Sequence, residues 1–221
     1  MAKRAFAWSY SALTRFENCP KQYYEINLTK NFKDEDSEFA AEGKLIHDSM
    51  FNRVLKNTPL PLQLRPFEAT AAKFAAADGE KHGEMKLALN RDFQPRDFFA
   101  PDVYVRVVVD LLIIRGTQAI IVDWKTGKPK DDFTQLKLTA AVLKHYMPEL
   151  DFFKLLFVWL KHNKVSPKTA TNSKLTETWN ELLPRVGKIE EAIKTTSFPA
   201  KPSGLCKWCP VRTCPHFGER D

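Results

Sequence analysis

Asp110, Asp123 and Lys125 form the pattern in this chain best suited to chemistry. Val103–Ile114 is an almost continuous aliphatic, largely β-branched run with Asp110 inside it, and a second apolar run, Ala119–Val122, leads into Asp123-Trp124-Lys125-Thr126-Gly127. Between the runs, Arg115-Gly116-Thr117-Gln118 holds the Gly-X pair of a two-residue hairpin turn. A turn on Gly116 and Thr117 sets Asp110 directly opposite Asp123, and Lys125 shares their face because side chains alternate along a strand. Like charges placed opposite each other repel, and carboxylates buried among Val and Ile are costly unless something compensates. A divalent cation would compensate. The same residues also fit a solvated hairpin end with both carboxylates in water, and a one-residue register slip would turn them to opposite faces.

His47 offers a further ligand. On a helix expected over Phe39–Lys56 it shares an inward face with Gly43, Met50, Phe51 and Val54. A neutral imidazole beside two carboxylates leaves open positions for water and phosphate oxygens, and it suits manganese better than magnesium. A histidine on such a face is equally at home as a core residue. Gly43, one turn earlier, would let the helix approach the sheet closely, although a glycine there is equally tolerated without any role.

The four cysteines form a second constellation. Cys206, Cys209 and Cys214 give C-x2-C-x4-C, and Cys19 is the only other cysteine. An intracellular chain has little use for disulfides, so thiolate ligation of a metal is expected. His216 would complete a zinc site of three thiolates and one imidazole. Cys19 would instead make four thiolates, suited to zinc or a [4Fe-4S] cluster, and would tie the tail to the first helix.

These residues need elements to hold them. A helix capped by Ser9 or Ser11 runs towards Cys19-Pro20, where the proline kinks or restarts it. Asn31–Glu38 reads as an acidic loop, Pro66–Lys81 as a helix, and Glu84–Leu89 as a strand before the hairpin. A helix from about Asp132 to Tyr146 follows, capped by Asp131 or Asp132, then a buried strand Phe152–Leu160 and a helix Leu175–Lys194. The tail from Phe198 is rich in proline and cysteine. This order predicts a mixed α/β sheet flanked by helices.

Composition sets the class. With 221 residues, 43% hydrophobic and 28% charged, the chain suits an ordinary globular protein. No apolar stretch approaches the roughly 20 residues of a membrane span. Met1–Phe6 carries two positive charges without an apolar region behind them, so no secretory signal is expected and an intracellular location follows. The net charge of +7 comes wholly from the second half, where 18 Lys/Arg face 11 Asp/Glu, against 16 and 16 in residues 1–110. Such an excess suits a polyanion such as nucleic acid, or simply solubility.

Taken together, these segments resemble the RecB-like branch of the PD-(D/E)XK nucleases, in particular its iron-sulfur members of the AddB and CRISPR-associated exonuclease type. Ser9-Tyr10-Ser11-Ala12-Leu13 through Cys19-Pro20 and Tyr24 resembles the opening helix with its first cluster cysteine. Gly43-x-x-x-His47 resembles the histidine motif, Asp110 the second motif, Val122–Gly127 the D/E-x-K strand, and Cys206, Cys209 and Cys214 the C-terminal triad. Gln135 stands where that branch has the glutamine of a Q-x-x-x-Y helix. Thr139 replaces the tyrosine, and Val107 stands where a glycine often precedes the aspartate.

The resemblance implies a restriction-endonuclease-like fold whose C-terminal cysteine cluster is tied to the first helix. It implies one nuclease domain over 1–221, with 1–30 and 198–221 as an iron-sulfur subdomain. Mg2+ or Mn2+ would be held by His47, Asp110, Asp123 and the main-chain carbonyl of Trp124. Lys125 would orient or deprotonate a water, Gln135 would position the substrate or the lysine, and Lys128 and Lys130 would hold flanking phosphates. Cys19, Cys206, Cys209 and Cys214 would bind a [4Fe-4S] cluster, with zinc as the alternative. The implied activity is DNA exonuclease, acting on single strands or free ends in recombination, repair, phage DNA processing or CRISPR adaptation, in a prokaryotic or phage setting. The alternatives are a non-catalytic DNA-binding module and a zinc-stabilised nuclease acting on RNA. Tyr10, Tyr23, Tyr24 and Trp208 are aromatics able to stack on bases, although packing accounts for aromatics more often.

Overall fold

A computed structural model describes residues 6–34 and 38–219. Residues 35–37 of the expected acidic loop, and the charged start 1–5, lie outside the described residues. The chain divides into two compact units, Met1–Ala7 with Glu38–Asn180, and Trp8–Ser37 with Glu181–Asp221.

The first unit is built on a six-stranded mixed sheet. Its strands are β1 (Glu80–Leu89), β2 (Pro95–Arg96), β3 (Val105–Arg115), β4 (Gln118–Lys125), β5 (Phe152–Trp159) and β6 (Lys164–Thr171), in the order β2-β1-β3-β4-β5-β6. Only β4 and β5 are parallel. Both are largely buried runs, as parallel strands covered on two faces must be. Below, α1 is Tyr10–Asn18, α2 Pro20–Tyr23, α3 Glu38–Lys56, α4 Glu68–Ala75, α5 Thr134–Tyr146 and α6 Asn172–Thr195. Ile46, Met50 and Val54 of α3 and Phe74 of α4 pack with Leu111, Val122, Trp124 and Val158 on one face of the sheet. Helix α5, apolar on nearly every side, packs against β1, β3, β4 and β5. By strand alternation its contact with Asp123 lies on the other face. The expected mixed sheet flanked by helices is therefore present.

Three elements differ from expectation. The helix expected over Pro66–Lys81 is a 3-10 segment, Leu62–Phe67, followed by α4, and Glu80 and Lys81 already belong to β1. The reversal is made at Gly79, whose φ of 111° and whose close approach to the Ile114 carbonyl exclude a side chain. The short strand β2 and the edge strand β6 carry too few apolar residues to stand out in sequence. Pro167 in β6 is tolerated because an edge strand has one unpaired side.

In the second unit, the Ser9 side chain caps α1 by accepting from the Ala12 N–H at 3.3 Å. The chain becomes extended at Cys19 and restarts as α2 on Pro20. The Arg185 guanidinium of α6 grips both Glu17 carboxylate oxygens at 2.7 and 2.8 Å. The Lys21 N–H donates to the Pro199 carbonyl at 3.2 Å, and Tyr24 packs on Phe198. The tail thus runs alongside α2. Tyr23 is buried and its hydroxyl pushed up to about 12 by that burial, so it is packing and not a stacking surface. Among the described residues, no helix is long and apolar enough to cross a membrane.

Candidate active site

The hairpin has the register expected from its turn. Its ladder runs from Arg115↔Gln118 to Leu111↔Val122 and stops there, one position short of Asp110 and Asp123. Asp110 Oδ2 instead accepts the Trp124 N–H at 2.9 Å. A similar opening occurs on the other side of β3. The β1–β3 ladder includes Gly83↔Leu111 and Met85↔Val109 but skips the position between them, where Glu84 faces Asp110. Glu84 has a φ of 51°, uncommon for a residue with a side chain. Three carboxylates, Glu84, Asp110 and Asp123, therefore stand side by side across three adjacent strands. Such a row is repulsive by itself.

His47 reaches this row from α3, its Nδ1 lying 3.3 Å from Asp110 Oδ2. Candidate ligand atoms of His47, Glu84 and Asp110 all lie within 4.8 Å of one another. The close approach of α3 is made at Gly83, not Gly43. A Cβ on Gly83 would meet Leu55 and Phe51 at 2.6 Å, whereas Gly43 has nothing within 4 Å. Glu84 opens the strand expected from sequence, but its place in the row follows only from the pairing of β1 with β3. The signal was present as an acid following a glycine within the strand.

On the β4 side, Gln135 of α5 bridges the other two groups. Its Nε2 donates to Asp123 Oδ1 at 2.9 Å and its Oε1 accepts from Lys125 Nζ at 3.2 Å. Lys125 Nζ also forms an ion pair with Asp123 Oδ2 at 2.7 Å. Thr139 is buried, and its hydroxyl donates to the Gln135 carbonyl. Lys128 and Lys130 are exposed.

The electrostatics agree with the geometry. Burial pushes the Asp123 carboxyl up to about 6, with Asp110 adding and Lys125 opposing. Glu84 is raised by burial and then by Asp110, and His47 is raised first by its hydrogen bond to Asp110. All three groups hold protons more readily than usual, Asp123 and Glu84 chiefly through burial and His47 chiefly through Asp110. Two crowded carboxylates and an imidazole, with a buried third carboxylate beside them, are the donor set of a hard or borderline divalent cation.

The cysteines form a separate constellation in the second unit. Cys19, Cys206, Cys209 and Cys214 are free thiols lining one pocket with His216 and Phe217. Three N–H groups are aimed at sulfur, from Lys201 to Cys19 at 3.5 Å, Ser203 to Cys206 at 3.4 Å and Gln22 to Cys209 at 3.6 Å. Burial, chiefly, raises the Cys209 thiol. His216 Nδ1 is engaged by Glu219 at 2.9 Å, leaving only its other nitrogen for a ligand role.

The sequence profile described as the PD-(D/E)XK nuclease superfamily matches residues 60–215. The chain belongs to that superfamily. The match spans Glu84, Asp110, Asp123, Lys125, Gln135 and the three C-terminal cysteines, while His47 and Cys19 lie outside it. Among solved structures, a "Putative exonuclease" from Eubacterium rectale is similar at 14% identity, with a TM-score of 0.58 over 94% of this chain and 88% of that one. SSO0001 is similar at 14% identity and a TM-score of 0.46, over 98% and 90%. No curated protein matches the sequence. PD-(D/E)XK nucleases generally use divalent metals, and the acidic row with His47 is a possible site for one here.

Proposed function

We propose that the protein is a Mg2+- or Mn2+-dependent DNA exonuclease of the RecB-like, iron-sulfur branch. The observation that carries the reading is the acid row opposite a lysine tethered by Gln135. His47, Glu84, Asp110, Asp123 and the Trp124 carbonyl would hold the cation. When bound, a divalent cation supplies charge neutralisation at the scissile phosphate and acidifies a water. Asp110 is itself held by the Trp124 N–H, so its carboxylate is fixed before any ligand arrives. Lys125 presents its ammonium beside Asp123, where it orients the attacking water or steadies charge on the phosphoryl oxygens. Gln135 limits the lysine to that position. Exposed Lys128 and Lys130 serve flanking phosphates.

For the cysteines we favour a [4Fe-4S] cluster over zinc. A zinc ion with Zn–S of about 2.3 Å draws its sulfurs to about 3.8 Å from one another. Among the described residues no three of these sulfurs lie within 4.8 Å of one another, a setting that supports the larger group. Peptide and amide N–H donors to sulfur are the usual surroundings of cluster thiolates. Residues 1–30 and 198–221 then form a cluster subdomain of one nuclease domain. Its role would be structural, and DNA recombination, repair, phage DNA processing or CRISPR adaptation inside a cell would be its setting.

The test is a digestion time course with Mn2+ on end-labelled single-stranded DNA, duplex DNA and RNA. Progressive loss from DNA ends is expected from the wild type, and none from folded Asp110→Ala. Cleavage of RNA alone, or undiminished cleavage by the variant, would overturn the reading.

A further inference from the structure

The geometry points to a single-stranded nucleic-acid track that runs from the acid row along β3 and β1 and ends on Phe99. Arg106, Val108 and Asp110 alternate onto one face of β3, and Lys86 of β1 stands directly opposite Val108. Glu84 and Lys86 share the corresponding face of β1. The two ends of this strip differ. At one end are the carboxylates of the candidate metal site. At the other, about 13 Å away at about 3.3 Å per residue, are Arg106 and the loop that carries Phe98 and Phe99.

That loop is held in place. Arg106 Nε donates to the Phe98 carbonyl at 2.6 Å, and its guanidinium lies 5.6 Å from the Phe98 ring centre. Phe98 packs edge-on against Phe99 with ring centres 5.1 Å apart. Phe99 is nevertheless 70% exposed, and Val108, in mid-strip, is 42% exposed. Phe99 thus touches Phe98 edge-on yet stays mostly open to solvent, and Val108 leaves the middle of the strip uncovered. Lys86 Nζ sits 6.0 and 5.9 Å from the two rings, where it meets the phosphate of a nucleotide whose base lies on Phe99. Of the two acids of the same loop, Asp102 is neutralised by Arg96 at 2.7 Å and Asp97 is exposed.

An exposed ring offers a stacking face only to an unpaired base, whereas a lysine serves any phosphate backbone. The occupant that fits both, and that ends at a phosphodiester site, is a single strand. This rests on the proposed nuclease reading and gives that reading its substrate form.

Fluorescence anisotropy on a labelled 20-nucleotide oligo-dT and on a 20-base-pair duplex, in EDTA, tests it. Phe99→Ala is expected to weaken single-strand binding about tenfold and leave duplex binding alone, and Phe99→Trp to restore it. Lys86→Ala should weaken both and lower the salt slope by about one. Unchanged single-strand affinity in Phe99→Ala, or equal loss on both substrates, overturns the track. A wild type that binds oligo-dT in this way but never cleaves it with Mn2+ removes the nuclease reading and leaves the track. A wild type that cleaves while Phe99→Ala binds normally removes the track alone.

Discussion

The acid row of the first unit and the cysteine pocket of the second are prepared for ligands in opposite ways. Around the cysteines, two backbone N–H groups and the Gln22 side-chain amide donate to three of the four sulfurs, so the protein itself supplies donors there. In the acid row the protein supplies too few. One lysine serves the row beside Asp123, Glu84 crowds Asp110, and the sheet opens on both sides of Asp110. One site is soft and already satisfied, while the other is hard and in deficit. The deficit is what a metal-dependent hydrolase needs, because the missing positive charge is then supplied by the cation that also meets the reacting phosphate.

The comparison breaks most sharply on catalysis. Lys125→Ala should lower DNA hydrolysis by about two to three orders of magnitude, measured as initial rate with Mn2+, while the visible absorption of the proposed cluster stays intact. Loss of both would mean that the two sites are not separable. Cys19→Ser should do the converse. It should bleach that absorption and, for a loss of a few kcal/mol, lower the melting temperature by roughly 10 °C, with Mn2+ binding by the folded fraction retained. Glu84→Gln sharpens the idea of deficit, since it should weaken Mn2+ about tenfold yet raise the melting temperature in EDTA by relieving the repulsion with Asp110. A fall in both would make Glu84 merely structural.

The smallest effect is that of pH on the metal-free protein. Asp123 and Glu84 bind protons more readily folded than unfolded, and so does His47. Their contributions therefore share one sign, so stability is lost as pH rises, for Asp123 between about 4 and about 6 and for His47 above about 6.5. Denaturant midpoints in EDTA should fall across that range. Mn2+ should flatten or reverse the trend, since a bound cation favours the deprotonated ligands.

Much of this was legible because it followed from local rules. The Gly116-Thr117 turn fixed the register that brings Asp110 towards Asp123, and the apolar faces of α3 and α5 carried His47 and Gln135 to the same place. What escaped depended on partners distant in sequence. Glu84 became a member of the row only through the pairing of β1 with β3, which no turn between them announces. Gly83, not Gly43, makes the close approach to α3, because its neighbours are contributed by another element. Strand β6 was hidden by Pro167 and by its few inward residues, Ser166 and Ala170.

The central claim is that the carboxylate row is completed by a divalent cation. Calorimetric titration of the metal-free protein with Mn2+, repeated in buffers of different ionisation enthalpy, tests it most directly. The account predicts binding to the wild type with release of protons from the row, and no such binding to Asp110→Asn. Equal Mn2+ affinity in Asp110→Asn, or no binding to the wild type, would contradict it.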